Sequence, residues 1–329
     1  MMTMRRRLGA MLVAILAATG CGGGGASSPG ATTIAVIPKG TAHIFWQSIH
    51  AGAERAGKEL GVEIIWRGPV REDDRDSQVS EVEGFVSRGV SGIVLAPLDE
   101  TALTGPVAEA KARNIPVVII DSGLKGTDFI SFVATDNQKG GELGGDRLAE
   151  VLGGKGKVVL LRYAEGSDST NRREEGFLTA MKKNAGLEVV SANQYLGSDV
   201  EGAYKRSEAV LSRFKNADGS LAVDGIFCPN ESTTFATMRV LQDNGWAGKV
   251  KLVGFDAAPN LVDGLDKGVI HGLVLQDPVK MGYLGVKTMV SYLRKEPIEA
   301  RIDTGVTIAT AENRKQPEIV ALLEPERVK

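Results

Sequence analysis

The sequence is poor in the residues that carry covalent and metal chemistry. It has two cysteines, Cys21 and Cys228, which cannot build a disulfide framework. Its three histidines, His43, His50 and His271, fall at no metal-ligand spacing. No Gly-x-Ser-x-Gly nucleophile elbow is present. The run Gly153-Gly154-Lys155-Gly156-Lys157 has the look of a phosphate loop, but it precedes a strand-like segment and has no Ser or Thr after the lysine, so it reads as a turn. Charge of one sign is also missing. The net charge is −2, and no basic surface is visible in bulk, which excludes a nucleic-acid binder. Only 5% of residues are aromatic, whereas the hydrophobic share of 43% excludes a disordered chain. Beyond the first twenty residues no apolar stretch approaches the roughly 20 residues needed to cross a bilayer.

The N-terminal segment is informative. Arg5, Arg6 and Arg7 precede an apolar run from Leu8 to Ala18, then Thr19-Gly20-Cys21. A basic start, a short apolar run and small residues describe a secretory signal over residues 1–20. A cysteine directly after them resembles the bacterial lipoprotein processing site, with Cys21 as the lipidated first residue of the mature chain. Ala18 stands where such sites usually have Leu. Residues 21–31, rich in Gly and Ser, read as a flexible tether. The expected location is the cell envelope, with a lipid anchor. Cys228, inside Gly225-Ile226-Phe227-Cys228, reads as a buried, unreactive thiol.

From residue 33 the chain alternates short apolar runs with segments of helical spacing. Thr33–Ile37, Val62–Trp66, Gly92–Ala96 and Pro116–Ile120 read as doubly covered strands. Between them lie helical stretches, such as Phe45–Leu60, with Ile49, Ala53, Ala56 and Leu60 on one face and Gly61 as the stop. The pattern starts again at Ile130–Ala134 and runs to Val250–Phe255. Helices are expected at Gly140–Leu152, Arg173–Asn184, Val200–Phe214 and Ser232–Asp243. Regular β-α alternation predicts parallel sheets with right-handed crossovers. The number of strands exceeds one comfortable sheet, so two α/β lobes are expected. A weak repeat agrees: Val90–Pro97 resembles Val223–Pro229, and each is followed by a helix and an apolar strand ending in Asp, at Asp121 and Asp256.

Open parallel sheets bind ligands beyond the carboxyl ends of their strands. The residues there are Lys39 to Trp46, Asp99, Asp121 with Ser122, Ser167 to Arg173, Asn230 with Glu231, Asp256, and Gln276 after Leu273-Val274-Leu275. Asp and Asn acceptors, Arg donors and the aromatics Phe45 and Trp46 suit a neutral polyhydroxylated ligand. Structural uses compete with each: Asp121 and Asp256 could shape turns, Arg172 and Arg173 could be solvated, Trp46 could be core and His43 an exposed loop residue. Their common position at one sheet edge favours the binding use.

Together these residues resemble a known family, the periplasmic ribose/galactose-type sugar-binding proteins of ABC transporters, over roughly residues 32–310. The resemblance rests on Phe45-Trp46, Pro116–Asp121, Ala134-Thr135-Asp136-Asn137, Ser169–Phe177, Cys228-Pro229-Asn230-Glu231, Val253-Gly254-Phe255-Asp256 and Leu275-Gln276-Asp277-Pro278. It implies a type I periplasmic binding protein fold: two Rossmann-like lobes joined by three crossovers, with no catalysis and no cofactor. One lobe would take 32–135 plus about 277–301, the other 136–276 plus about 302–329. A monosaccharide would lie between them and pass to an ABC permease, and the protein would be a monomer. The aromatic pair falls on Phe45 and Trp46, the strand-end Asp on Asp121, and the later Asn, Asp and Gln on Asn230, Asp256 and Gln276. The arginine falls in Asn171–Arg173, with the register open between Asn171 and Arg173. Lys39, His43 and Ser122 stand where ribose binders have Ser, Asn and Arg, which argues against a strict ribose pocket. Ser198 completes the candidate set. A repressor of this fold would need a basic helix-turn-helix where the signal and tether lie. A secreted hydrolase would need a nucleophile-base pair that is not found. A receptor presenting a sugar or autoinducer-2 to a membrane sensor would share almost every residue and stays open.

Overall fold

The structure, a computed structural model, describes residues 32–324. The signal, the tether and Cys21 lie outside the described residues.

The chain runs as β1 (Thr33–Ile37), α1 (Ile44–Leu60), β2 (Glu63–Trp66), α2 (Arg75–Arg88), β3 (Gly92–Leu95), α3 (Thr104–Ala112), β4 (Val117–Ile120) and β5 (Ser131–Ala134). It continues as α4 (Asn137–Val151), β6 (Gly156–Arg162), α5 (Asp168–Lys182), β7 (Leu187–Tyr195), α6 (Val200–Ser212), β8 (Gly225–Phe227) and α7 (Glu231–Asp243). Then come β9 (Lys251–Phe255), α8 (Pro259–Asp266), β10 (Gly272–Leu275), α9 (Pro278–Leu293), β11 (Arg301–Asp303), β12 (Thr307–Ala309) and α10 (Pro317–Leu323).

The strands form two six-stranded sheets with one plan. The first has the order β11-β5-β4-β3-β1-β2 and the second β12-β10-β9-β8-β6-β7. All pairings are parallel except β10 with β12. The chain therefore passes between sheets three times: after Ala134, after Leu275 and after Asp303. Both sheets belong to one compact unit.

The strand runs are apolar on both faces because helices cover both faces. Every residue of β3, β4 and β10 is buried. Each sheet carries two apolar clusters, one on each side. Helix α9 returns to the first lobe and lies against α1, where both backbones approach closely. A Cβ at Gly52 would strike the Val279 carbonyl, and one at Gly282 the Ile49 carbonyl. Helices α4 and α5 meet in the same way, Gly141 against the Arg173 carbonyl and Gly176 against that of Gln138. That contact fixes α5 and the cleft residues it carries. Gly153 and Gly154 turn the chain from α4 into β6 with φ of 63° and 74°, which assigns the Gly-Lys run to a turn.

Helix α5 begins at Asp168, five residues before the start expected from the sequence. The Ser167–Asn171 backbone bond closes its first turn. Cys228 is fully buried, its Sγ donates to Thr237 Oγ1 at 3.3 Å, and burial pushes its pKa up to about 12.

Candidate functional site

The carboxyl ends of both sheets face one cavity. Its lining from the first lobe comprises Lys39, His43, Phe45, Trp46, Glu72 and Asp121. The second lobe supplies Tyr163, Ser169, Thr170 and Arg173, together with Asn230, Glu231, Asp256 and Gln276. The space between these walls, part of it open to solvent, is about 350 Å³.

The lobes meet around this cavity. Lys39 Nζ, just beyond β1, forms an ion pair with Asp121 Oδ2 at 3.0 Å and donates across the cleft to Ser169 Oγ at 3.0 Å and Ser167 Oγ at 3.3 Å. The Ser169 N–H donates to Ser122 Oγ at 3.0 Å. The Gly123 N–H donates to Asp168 Oδ2 at 3.0 Å. At the rim, the Glu100 N–H donates to the Gly166 carbonyl at 2.9 Å.

Asp121 and Asp256 end equivalent strands, β4 and β9, and both have left-handed backbone, with φ of 61° and 73°. That turn swings each carboxylate back over its sheet edge. Asp256 Oδ2 accepts from the Glu231 N–H at 3.1 Å and Oδ1 from Gln276 Nε2 at 2.7 Å. Burial raises its pKa, against the opposing pull of Arg173. Arg173, on α5, donates from Nε to Asn137 Oδ1 at 2.8 Å and from Nη1 to the Pro229 carbonyl at 3.0 Å. Its guanidinium lies over Phe255 at 4.0 Å. Its Nη2 is buried without a partner, and so is Gln276 Oε1.

Asn230 caps α7, its Oδ1 accepting from Thr233 Oγ1 at 2.6 Å and from the Thr233 N–H at 3.3 Å, while its Nδ2 donates to Ser232 Oγ at 3.1 Å. Glu231 Oε2 reaches across the cleft to the Phe45 N–H at 3.5 Å. Burial raises Glu231 to about 7. Phe45 and Trp46 stand edge to face, 5.0 Å apart at 85°, so they present different faces to the cavity. The Trp46 ring is 3% exposed. His43 and Glu72 form an ion pair at 2.8 Å. Burial works against charging His43, but the hydrogen bond and charge of Glu72 raise it to about 9. Burial likewise opposes the Glu72 charge, yet His43, Tyr163 and Trp46 hold it down at about 2.

Nine of the twelve residues expected from the sequence line this cavity: Lys39, His43, Phe45, Trp46, Asp121, Arg173, Asn230, Asp256 and Gln276. The structure places the other three outside its lining. Ser122 is used by the Ser169 N–H in the strap between lobes. Asn171 lies on α5 between Thr170 and Arg173; at about 100° per residue, a helix that points Ser169, Thr170 and Arg173 inward turns Asn171 aside. Ser198 lines a neighbouring hollow with Gly40, Val70 and Arg71. Arg172 is exposed and pairs with Asp168 and Glu175. Asp99 holds the turn before α3 and pairs with Arg75 at 3.2 Å. The sequence reading missed Glu72 and Tyr163. Tyr163 follows β6 directly, so a strand-end signal was there to find; Glu72 sits in a charged segment with no such signal.

The periplasmic binding protein domain family matches residues 34–297. The chain belongs to that family. Among solved structures it is similar to a carbohydrate transporter solute binding protein from Agrobacterium radiobacter in complex with D-arabinose. The two share 34% identity at a TM-score of 0.84, covering 90% of this chain and 100% of the other. An ABC transporter solute binding protein from Agrobacterium vitis with bound D-fucose is 36% identical at a TM-score of 0.83, covering 88% and 99%. The ribose import binding protein of Haemophilus influenzae is 28% identical over 84% of this chain and 90% of its own. The family is one of binding proteins, not of enzymes, and it fits an extracytoplasmic location. Among the described residues no helix is long and apolar enough to cross a membrane.

Proposed function

We propose that this periplasmic binding protein captures a neutral monosaccharide, or a similar polyhydroxylated molecule, in the cleft between its lobes and delivers it to an ABC permease. One observation carries the reading. Arg173 Nη2 is a buried donor and Gln276 Oε1 a buried acceptor, both on cavity residues and both unpaired. Such atoms are costly unless a ligand supplies the partners. Sugar hydroxyls do both, since each donates and accepts. The charges support a neutral ligand. Lys39 is paired with Asp121 and His43 with Glu72, while Arg173 faces Asp256. Lys39, His43, Phe45, Trp46, Asp121, Arg173, Asn230, Asp256 and Gln276 are the proposed contacts.

The ligands of the similar proteins, D-arabinose and D-fucose, define the first panel to test, with D-ribose and D-allose beside them. Thermal shift followed by calorimetry should find a pentose or hexose that binds. Sugars that leave the melting curve unmoved, while an anionic or apolar ligand shifts it, would overturn the reading.

The same proposal includes a lipid anchor at Cys21, removal of residues 1–20, a Gly-rich tether and a monomeric body. The support is the Arg5–Cys21 pattern. Cys21→Ser should abolish lipid labelling and release the protein from the membrane fraction; membrane association unchanged in that variant would contradict it.

A further inference from the structure

Glu72 lies between β2 and α2, away from any strand end, yet its side chain is 9% exposed and lines the cavity. Three donors converge on it. The Trp46 indole N–H reaches Oε1 at 2.6 Å, His43 Nδ1 reaches Oε1 at 2.8 Å, and the Tyr163 hydroxyl reaches Oε2 at 2.6 Å. Trp46 and His43 belong to the first lobe. Tyr163 follows β6 of the second lobe and is itself 2% exposed. One carboxylate therefore fixes a cavity-lining ring and receives a bond from the opposite lobe. Hydrogen bonds to an ionised acceptor are about twice as strong as neutral ones.

We propose that Glu72 is a positioning residue that couples the aromatic wall of the cleft to lobe closure, holding Trp46 and His43 on one side and accepting the Tyr163 hydroxyl only when the lobes meet. This rests on the reading of the cleft as a sugar site. In the open form Tyr163 loses Glu72 as partner, and His43 loses the burial and the nearby Glu231 and Asp256 that the second lobe brings. Carboxylates face His43 from three segments: Glu72 before α2, Glu231 at the start of α7 and Asp256 after β9. Closure thus completes an anionic surround for the His43 ring, and Glu72 is the member that touches it.

The test uses two variants that keep side-chain shape, Glu72→Gln and Tyr163→Phe, with four readouts: sugar affinity, the closed fraction without ligand by scattering, the Trp46 indole proton resonance and the His43 titration by NMR. Glu72→Gln should weaken binding of the tightest sugar of the panel by roughly 10- to 100-fold. It should also lower the ligand-free closed fraction, shift the Trp46 indole resonance upfield and drop the His43 pKa well below about 9. Tyr163→Phe should lower affinity and the closed fraction while leaving the Trp46 resonance in place, which separates the crossing bond from the positioning of the ring. Wild-type affinity and closure in both variants, or an unmoved Trp46 resonance and His43 titration in Glu72→Gln, would overturn the proposal. If the wild type binds no sugar of the panel, the sugar reading falls, and the ligand-free readouts alone judge the latch.

Discussion

The two lobes are built on one plan and furnish the cleft differently. Strands β4 and β9 hold the same place in their sheets and end in aspartates with the same left-handed backbone. Asp121 meets an ammonium of its own lobe, Lys39, at 3.0 Å. Asp256 meets an amide and a backbone N–H, with Arg173 acting on it through charge. The first lobe thus brings settled ion pairs, and the second brings a guanidinium and an amide, Arg173 and Gln276, each with one buried atom left unpaired inside the protein. Shared topology fixes where an acceptor stands; the neighbours it is given decide whether a ligand has anything left to satisfy.

Exchanging each aspartate for asparagine should expose the difference between the lobes most strongly. Asparagine is the right replacement, because left-handed backbone costs an alanine about 1–2 kcal/mol while Asn tolerates it. Asp121→Asn leaves the Lys39 ammonium, 3% exposed, without its anion. Breaking a buried ion pair costs about 3–5 kcal/mol, and opening the cleft relieves it by hydrating Lys39, so the loss should appear as roughly 100-fold or more in sugar affinity. Asp256→Asn keeps one acceptor and strands no cation so tightly. Its expected loss is about 1–3 kcal/mol, or roughly 5- to 150-fold. Calorimetric titration of both variants checks the order; equal losses would mean that the lobes do not differ as described.

A smaller effect is expected from pH. In the folded protein His43 rises from 6.5 to about 9, so its contribution to stability is complete below pH 6.5 and fades as pH climbs to 9. Glu72 falls from 4.5 to about 2, so its contribution is complete above pH 4.5 and fades as pH drops toward 2. Glu231 rises from 4.5 to about 7, and its contribution fades as pH climbs from 4.5 to 7. The part of the His43 rise that comes from Glu231 and Asp256, and the rise of Glu231 itself, depend on the lobes meeting, so affinity should be weaker at pH 9 than at pH 6; a flat profile would contradict their coupling to closure. The smallest effect belongs to Arg172→Ala. Arg172 is exposed and its pairs with Asp168 and Glu175 are long, at 3.4 and 3.5 Å, so the change should be within about 1 kcal/mol in stability and leave affinity unmoved. A large loss of affinity would bring Arg172 into the site.

The fold was legible wherever burial on both faces forces a continuous apolar run, as in Gly92–Leu95 and Val117–Ile120. It faded after Gln276. Helix α9 carries Gly282 and Gly285 in its interior, needed for contact with neighbouring elements, and glycine there mutes the helical signal. Strands β11 and β12 have three residues each, too few for a pattern. The site was legible where strand ends deliver it, at Asp121, Asn230, Asp256 and Gln276. Between Asn171 and Arg173 the sequence left the register open, because against Gly176-Phe177 the family's arginine can align with either position; on α5 it is Arg173 that lines the cavity. Glu72 had no sequence signal, since its role depends on Trp46 and Tyr163, which only the folded chain brings to it.

The most direct test of the central claim is a crystal structure with the tightest-binding sugar of the panel. The sugar should lie between the lobes, with one hydroxyl oxygen within hydrogen-bond distance of Arg173 Nη2 and another hydroxyl donating to Gln276 Oε1. A sugar held by one lobe alone, or one that leaves both atoms unpaired, would contradict it.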